Sequence, residues 1–191
     1  MQPNDRARRF RTIAGWSLVG AAAVIVAIGV VVALTRDDEG SGPSYRFATE
    51  RFVNQEGRYS FYHPPDWEVE EDETVTRVLS PEEHTSVTFG LGAEGDLEAA
   101  ETEFVERVQA TYRRVELFAL QQRDVGPYPA LSVAGIGTNP EGVRVRFLAI
   151  TVRAGERNYS IGVFTAAGSD PDEVVPPTQE IVNSFRRLPS G

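Results

Sequence analysis

Residues 143–152 read VRVRFLAITV, the longest strand-like stretch of the chain. The first half alternates apolar and charged residues, as a strand with one buried face does. From Phe147 to Val152 the stretch is apolar on both faces. A sheet that buries only one side does not need such a two-sided apolar strand. The stretch therefore predicts a central strand in a sheet that is covered on both faces.

Turn signals and shorter strand-like stretches surround this strand. Residues 139–142 (NPEG) and 154–158 (AGERN) are turn-forming sequences that connect it to the neighbouring strands. In residues 85–91 (TSVTFGL), Val87, Phe89 and Leu91 fall on one face of a further strand. The remaining predicted strands cover residues 75–79, 116–121, 130–136 and 159–166.

Two amphipathic stretches predict helices that cover the sheet. The first begins after Asp96, a residue suited to cap a helix N-terminus, and has Arg113 and Arg114 near its end. The second begins at Asp170 and is predicted to break at Pro176-Pro177 and then restart, because a residue before proline avoids the helical conformation. The predicted apolar faces are Leu97, Ala100, Phe104, Val108 and Val115 in the first helix, and Ile181, Val182 and Phe185 in the second.

The stretch GRYSFYHPPDWEVEEDE, residues 57–73, combines a strand pattern, two prolines, a tryptophan and a run of acids. We interpret it as the opening strand and corner of the sheet. Phe61 and Trp67 are expected in the core, Pro64-Pro65 at the corner, and the carboxylates of residues 70–73 in a solvated turn. The rim of this hairpin is the candidate place for binding a partner or ligand, and its residues are His63, Asp66, Trp67, Glu68, Glu70 and His84.

Motifs for catalysis or cofactor binding are missing from the sequence. The only two histidines, His63 and His84, lack the paired spacing of a metal site, and the acidic run lacks the calcium-loop pattern. The sequence contains no Gly-x-Ser-x-Gly nucleophile elbow and no complete phosphate-binding glycine motif. It therefore predicts no catalytic, cofactor-binding or metal-ligating residues. Calcium binding by the clustered carboxylates is left as an alternative.

The N-terminal part predicts a membrane anchor. Residues 12–35 carry no charge, and a helix of that length spans a hydrocarbon core of ~30 Å. Four arginines precede this segment, whereas Arg36 is followed by three acids, so the positive-inside rule places residues 1–11 in the cytoplasm. A cleaved signal peptide is the alternative, although its apolar region is only ~7 to 15 residues long. We expect a linker at 36–51 and a folded domain at 52–188.

Composition excludes several classes of function. The chain has no cysteine, which excludes disulfides, thiolate metal sites and a lipid-modified cysteine. Its formal net charge is −9, and after residue 35 it has 15 arginines against 27 acids. Such an acidic domain repels phosphate backbones, so we expect no nucleic-acid partner.

The order of these stretches resembles that of a known family. YSFYHPPDW (residues 59–67) is followed by a strand hairpin, a mid-domain helix, a three-strand meander and a last helix that ends NSFR (183–186). In this arrangement residues 52–188 resemble the PsbP-like superfamily and are similar to the LpqN-type envelope lipoproteins of actinobacteria. The resemblance implies an α+β fold, an α/β/α sandwich with a central, mainly antiparallel sheet. Family members are mostly accessory or protein-binding modules.

The anchor and the resemblance together predict a function. We expect a single-pass membrane protein with a cytoplasmic N-terminus and an extracytoplasmic accessory or protein-binding domain without catalytic activity. Its expected partners are the lipid bilayer, through the N-terminal helix, and an unidentified envelope protein. The chain departs from the lipoprotein branch, because it has an apolar anchor where that branch has a lipid-modified cysteine. The alternative is an envelope protein that binds a small ligand or a metal ion such as calcium.

Overall fold

The structure is a computed structural model that describes residues 45–189. The predicted cytoplasmic tail (1–11), the predicted transmembrane helix (12–35) and the first part of the predicted linker lie outside the described residues. Between residues 45 and 189, the structure contains no helix that is both long and apolar enough to cross a membrane.

The described part is an α+β fold with mainly antiparallel pairing, as the sequence predicted. A seven-stranded antiparallel sheet has the order β3-β4-β5-β9-β8-β7-β6, and a small antiparallel sheet has the order β1-β2-β10. In chain order the elements are β1 (Glu50–Asn54), β2 (Tyr59–His63), β3 (Glu68–Glu71), β4 (Val75–Leu79), β5 (Thr85–Leu91), α1 (Leu97–Thr111), β6 (Arg113–Val125), β7 (Tyr128–Thr138), β8 (Arg144–Ala154), β9 (Arg157–Ala166), α2 (Pro171–Asn183) and β10 (Arg186–Arg187).

Strand β8 has the two-sided burial predicted for it. It lies between β9 and β7, away from both edges of the large sheet. Phe147 and Ala149 belong to the apolar cluster under α1, whereas Leu148 and Ile150 belong to the cluster on the opposite face. Both faces of the sheet are therefore covered.

The small sheet corrects the interpretation of residues 57–63. This stretch was expected to open the main sheet, but it forms β2, which pairs with β1 and β10. The reason lies in its burial, because Tyr59, Ser60 and Phe61 are all buried. The strand therefore packs over the main sheet, where the Phe61 ring stacks on Phe89 of β5 with a centroid distance of 4.1 Å. Phe61 is a core residue, as predicted.

The acidic run after Trp67 also differs from its prediction. Glu70 and Glu71 were expected in a solvated turn, but they belong to β3 and pair with Arg77 and Thr76 of β4. The Glu71 carboxylate accepts a hydrogen bond from the Asn54 side chain of β1 at 2.7 Å. The run is a strand because its backbone has a partner in β4, while its carboxylates remain exposed.

Helix α1 begins at its predicted cap and ends earlier than predicted. The Asp96 carboxylate accepts a hydrogen bond from the Ala99 N–H at 2.8 Å. The helix ends at Thr111, and Tyr112 is already extended with φ −103° and ψ 149°. Arg113, Arg114 and Val115 therefore belong to β6 and not to the last turn of the helix. Its buried apolar residues are Ala100, Phe104, Val105 and Val108.

Helix α2 is continuous, so the predicted break at Pro176-Pro177 is wrong. The two prolines lie inside the helix Pro171–Asn183. Their missing N–H groups would have served the carbonyls of Asp172 and Glu173, which lie in an exposed first turn where water can reach them. Ile181 and Val182 are fully buried as predicted. Phe185 is buried too, but it follows the C-cap residue of the helix.

The chain is attached to α2 before β1 begins. The Glu180 carboxylate of α2 accepts hydrogen bonds from three consecutive backbone N–H groups, those of Arg46, Phe47 and Ala48, at 2.9, 2.6 and 2.8 Å. Ala48 is fully buried, and β1 starts at Glu50. We call these three hydrogen bonds the Glu180 clamp. Contacts with the domain thus begin ahead of residue 52, where the folded domain was expected to start.

Candidate protein-binding edge

The predicted rim residues His63 and Trp67 lie inside the domain. Each of them is 8 % exposed. The Nδ1 atom of His63 lies 2.8 Å from the Pro64 carbonyl oxygen, and the imidazole packs edge-on against Phe61 with a centroid distance of 6.3 Å. The Trp67 backbone N–H donates to the same Pro64 carbonyl at 3.1 Å and closes the corner. The His63 ring and the Trp67 backbone thus both contact the Pro64 carbonyl at the corner of the hairpin.

The other four rim residues, Asp66, Glu68, Glu70 and His84, are exposed. Glu70 forms an ion pair with Arg77 at 3.2 Å, and His84 lies 3.5 Å from the Glu82 carboxylate. Within residues 45–189, no three side chains of His, Asp or Glu are placed to hold a metal ion together. Partner or ligand binding at this rim, including binding of calcium, stays a prediction.

A cavity lies between α2 and the large sheet. Its volume is 40 Å³, and its lining is mainly apolar, including Ile136, Leu148, Val163 and Val174. Pockets for small ligands usually have volumes of about 300–1,000 Å³. This cavity is therefore a packing space and not a site for a small ligand.

The two edge strands of the seven-stranded sheet differ sharply. Strand β3 is one edge, with four residues of which three are exposed glutamates. Charged side chains on a short edge strand prevent pairing with other chains. Strand β6 is the other edge, with 13 residues. Its exposed stretch of residues 119–122 (ALQQ) carries no charge, and Leu120 is 52 % exposed. Of these two edge strands, β6 is therefore the one with an exposed stretch of four consecutive uncharged residues.

Two irregularities shape the first half of β6. Its pairing with β7 shifts by one residue between Arg113 and Glu116, and again between Leu117 and Leu120. Arg114 has a positive φ of 52°, as one residue of a bulge can have. From Leu120 to Val125 the pairing is regular. In an edge strand, backbone N–H and C=O groups on the outer side have no strand partner, so this regular half is a template for another strand.

A buried acid lies under α1, where the sequence analysis did not expect one. The Glu101 side chain is 2 % exposed, and its Oε2 atom accepts a hydrogen bond from the Thr151 hydroxyl of β8 at 2.5 Å. Burial raises the pKa of Glu101 to about 7, although hydrogen bonds from Thr151 and from the backbone of Val133 lower it in part. The sequence feature that could have identified Glu101 as buried is its helical spacing. Glu101 follows Leu97 by four residues and precedes Phe104 by three, so it lies on the apolar face of the helix.

Comparison with known proteins identifies the fold. No family model and no curated protein matches the chain. The solution structure of cyanobacterial PsbP (CyanoP) from Synechocystis matches with a TM-score of 0.55 and 14% identity, over 80% of this chain and 100% of that chain. A crystal structure from Bacteroides thetaiotaomicron matches with a TM-score of 0.55 and 11% identity, over 76% of this chain and half (50%) of that chain.

A third match is LpqN, described as involved in cell envelope biogenesis of Mycobacterium tuberculosis. Its TM-score is 0.49 and its identity 13%, over 69% of this chain and 83% of that chain. The predicted PsbP-like fold is confirmed by the match to the cyanobacterial PsbP. At these identities the likeness extends to the fold alone.

Proposed function

We propose, from the premise of a PsbP-like fold, that this chain is a membrane-anchored accessory module that binds another envelope protein. In this proposal residues 12–35 form a single transmembrane helix, residues 1–11 lie in the cytoplasm, and the α/β domain lies outside. The arginines before the apolar segment and the acids after it support this orientation. The domain has no catalytic activity of its own and acts through the protein that it binds.

The observation that carries the proposal is the contrast between the two sheet edges. Strand β3 is short and lined by glutamates, whereas β6 is uncharged at its exposed residues 119–122 and exposes Leu120 at the start of its regular half. Proteins that avoid strand pairing protect both edges of a sheet. We therefore assign β6 to partner binding by strand addition, in which an extended segment of the partner pairs with the β6 backbone and packs an apolar side chain on Leu120.

Position-specific cross-linking tests this binding mode in intact cells. A photo-reactive amino acid replaces Leu120 in one variant and Leu91 in another, because these two leucines are 52 % and 54 % exposed but only Leu120 lies on an edge strand. We expect adducts with one envelope protein from position 120 and none from position 91. Equal adducts from both positions, or none from position 120, would contradict the proposal.

Cysteine labelling tests the proposed orientation. The chain has no cysteine, so a single introduced cysteine reports its own location. A membrane-impermeant maleimide added to intact cells should label Ser41→Cys and should not label Gln2→Cys until the membrane is broken. Labelling of Gln2→Cys in intact cells would overturn the orientation, and loss of the N-terminal segment from the mature chain would overturn the anchor.

A further inference from the structure

Glu101 is the charged residue that α1 buries against the sheet. Its neighbours on the helix include Phe104 and Val105, and the opposite wall of this interface is formed by Val133 and Ala149 of the sheet. The Oε1 atom is buried and accepts no hydrogen bond of normal geometry from the described residues. The carboxyl group therefore accepts one side-chain hydrogen bond, from the Thr151 hydroxyl, and its other polar neighbours are the backbone groups of Val133 and Thr151.

The charged groups around Glu101 are held by other partners. On α1, Glu98 is exposed, and Arg107 pairs with Glu103 at 2.5 Å. On β8, the Arg153 guanidinium donates to the Gly95 carbonyl at 2.8 Å. On this side of the sheet β6 contributes the exposed Asp124, while β7 and β9 contribute no charged side chain by their register. Among residues 45–189, no cation forms an ion pair with Glu101, although the Arg107 guanidinium lies 3.5 Å from the Ser160 hydroxyl of β9, which is the neighbour of Thr151 in the sheet.

We propose that α1 is a pH-gated cover of the sheet, which packs tightly while the Glu101 carboxyl keeps its proton and loosens when that carboxyl ionises. A protonated carboxyl can share a hydrogen bond with Thr151 at little cost in an apolar interface. An ionised carboxylate in the same place lacks the water and the cation that would stabilise it. Movement of α1 away from β8 brings water to Glu101 and exposes the apolar face that includes Phe147.

The loosening of α1 takes place between about pH 4.5 and about pH 7. Burial raises the pKa of Glu101 from 4.5 to about 7, so the carboxyl of the docked helix loses its proton near pH 7. The docked state is favoured most below about pH 4.5 and progressively less up to about pH 7, because within that interval it binds more protons than the undocked state. Across this pH interval the equilibrium constant between the docked and the undocked helix changes by at most about 300-fold.

Amide hydrogen exchange of the full-length chain tests the cover. After correction for the intrinsic exchange rate, we expect the protection of residues 97–111 to fall between about pH 5.5 and about pH 8.5, by at least about tenfold. Glu101→Gln keeps the shape of the side chain but cannot ionise, so its α1 should stay protected at both pH values. Glu106→Gln, an exposed position on the same helix, should behave like the wild type.

Thr151→Val provides a second test that does not depend on changing Glu101. The Thr151 hydroxyl lowers the pKa of Glu101 in the docked state, so its removal should extend the loss of α1 protection to higher pH and make the loss larger, while the onset near pH 4.5 stays the same. Constant wild-type protection of residues 97–111 across this range would overturn the proposal. A Glu101→Gln variant that loses protection like the wild type, or a Thr151→Val variant whose loss ends at the same pH as in the wild type, would overturn it as well.

Discussion

One face of the seven-stranded sheet is covered by α2 together with the small sheet, and the other is covered by α1 alone. Among the described residues, the cluster on the α2 face contains twenty buried apolar residues, against six in the cluster under α1. The α2 face also contains the stacked rings of Phe61 and Phe89, whereas the α1 face contains the buried acid Glu101. The α2 side therefore contains most of the buried apolar core, whereas the α1 side combines a small apolar cluster with a buried ionisable group.

The largest change in the free energy of unfolding is expected when one aromatic ring is removed from each face of the sheet. Phe61→Ala should lower the free energy of unfolding by about 5 kcal/mol, because the ring is fully buried and its loss leaves a cavity between two sheets. Phe104→Ala on α1 should cost about 3 kcal/mol, because this ring is 9 % exposed and the helix can settle. Denaturant unfolding measures both values, and equal losses would mean that the two covers are equally rigid.

The pH dependence of unfolding comes next in expected size. Because the pKa of Glu101 is raised from 4.5 to about 7 in the folded state, the contribution of Glu101 to the free energy of unfolding should be greatest below about pH 4.5 and should fall as the pH rises to about 7. The full difference is roughly 3 kcal/mol. Denaturant unfolding of the wild type and of Glu101→Gln isolates this contribution, with Glu106→Gln as the matched control. If the free energy of unfolding depends on pH in the same way in the wild type and in Glu101→Gln, Glu101 does not cause the dependence.

The Glu180 clamp gives a smaller effect on the α2 side. Glu180→Gln removes the negative charge that three backbone N–H groups share, but two of these hydrogen bonds are exposed to solvent. We expect a loss of about 1 kcal/mol in the free energy of unfolding and faster amide exchange at residues 46–48. Unchanged exchange at these amides would show that Tyr45 stacking on Tyr62 holds the chain without the carboxylate.

The smallest effect is expected outside both covers. Arg77→Gln breaks the ion pair with Glu70 on the exposed edge of the large sheet, where both side chains are about half exposed (52 % and 49 %). Exposed pairs contribute less than about 1 kcal/mol, so the midpoint of denaturant unfolding should hardly move. If Arg77→Gln lowers the free energy of unfolding as much as Glu180→Gln does, the ion pair on this edge contributes to the stability of the domain.

Local patterns predicted the elements that are stabilised by contacts within one stretch of chain. Strand β5 has the predicted bounds of residues 85–91, because alternation is visible in any strand with one buried face. Asp96 caps α1 as predicted, since a cap needs only the next few residues. The two-sided strand β8 also follows from its own sequence. These elements, together with the family resemblance, were sufficient to predict the PsbP-like fold.

Other features depend on contacts that sequence patterns do not show. The small sheet needs Arg186 beside Ser60, two residues that are far apart in the chain. The candidate edge was missed because the two shifts in β6 disturb the alternation that would identify its faces. Glu101 was missed because a charged residue at a buried helical position is read as a break in the apolar face. The predicted rim was placed by closeness in sequence, but the fold buries His63 and Trp67.

The Glu180 clamp has a mechanical consequence. A tensile load applied through the chain that precedes Tyr45 reaches the hydrogen bonds of Arg46, Phe47 and Ala48 before it reaches β1. All three hydrogen bonds end on one carboxylate, so the load is transmitted to a single residue of α2. The force then passes into α2, whose Ile181 and Val182 are buried in the larger apolar cluster. The load therefore reaches strand β1 only after these hydrogen bonds have opened.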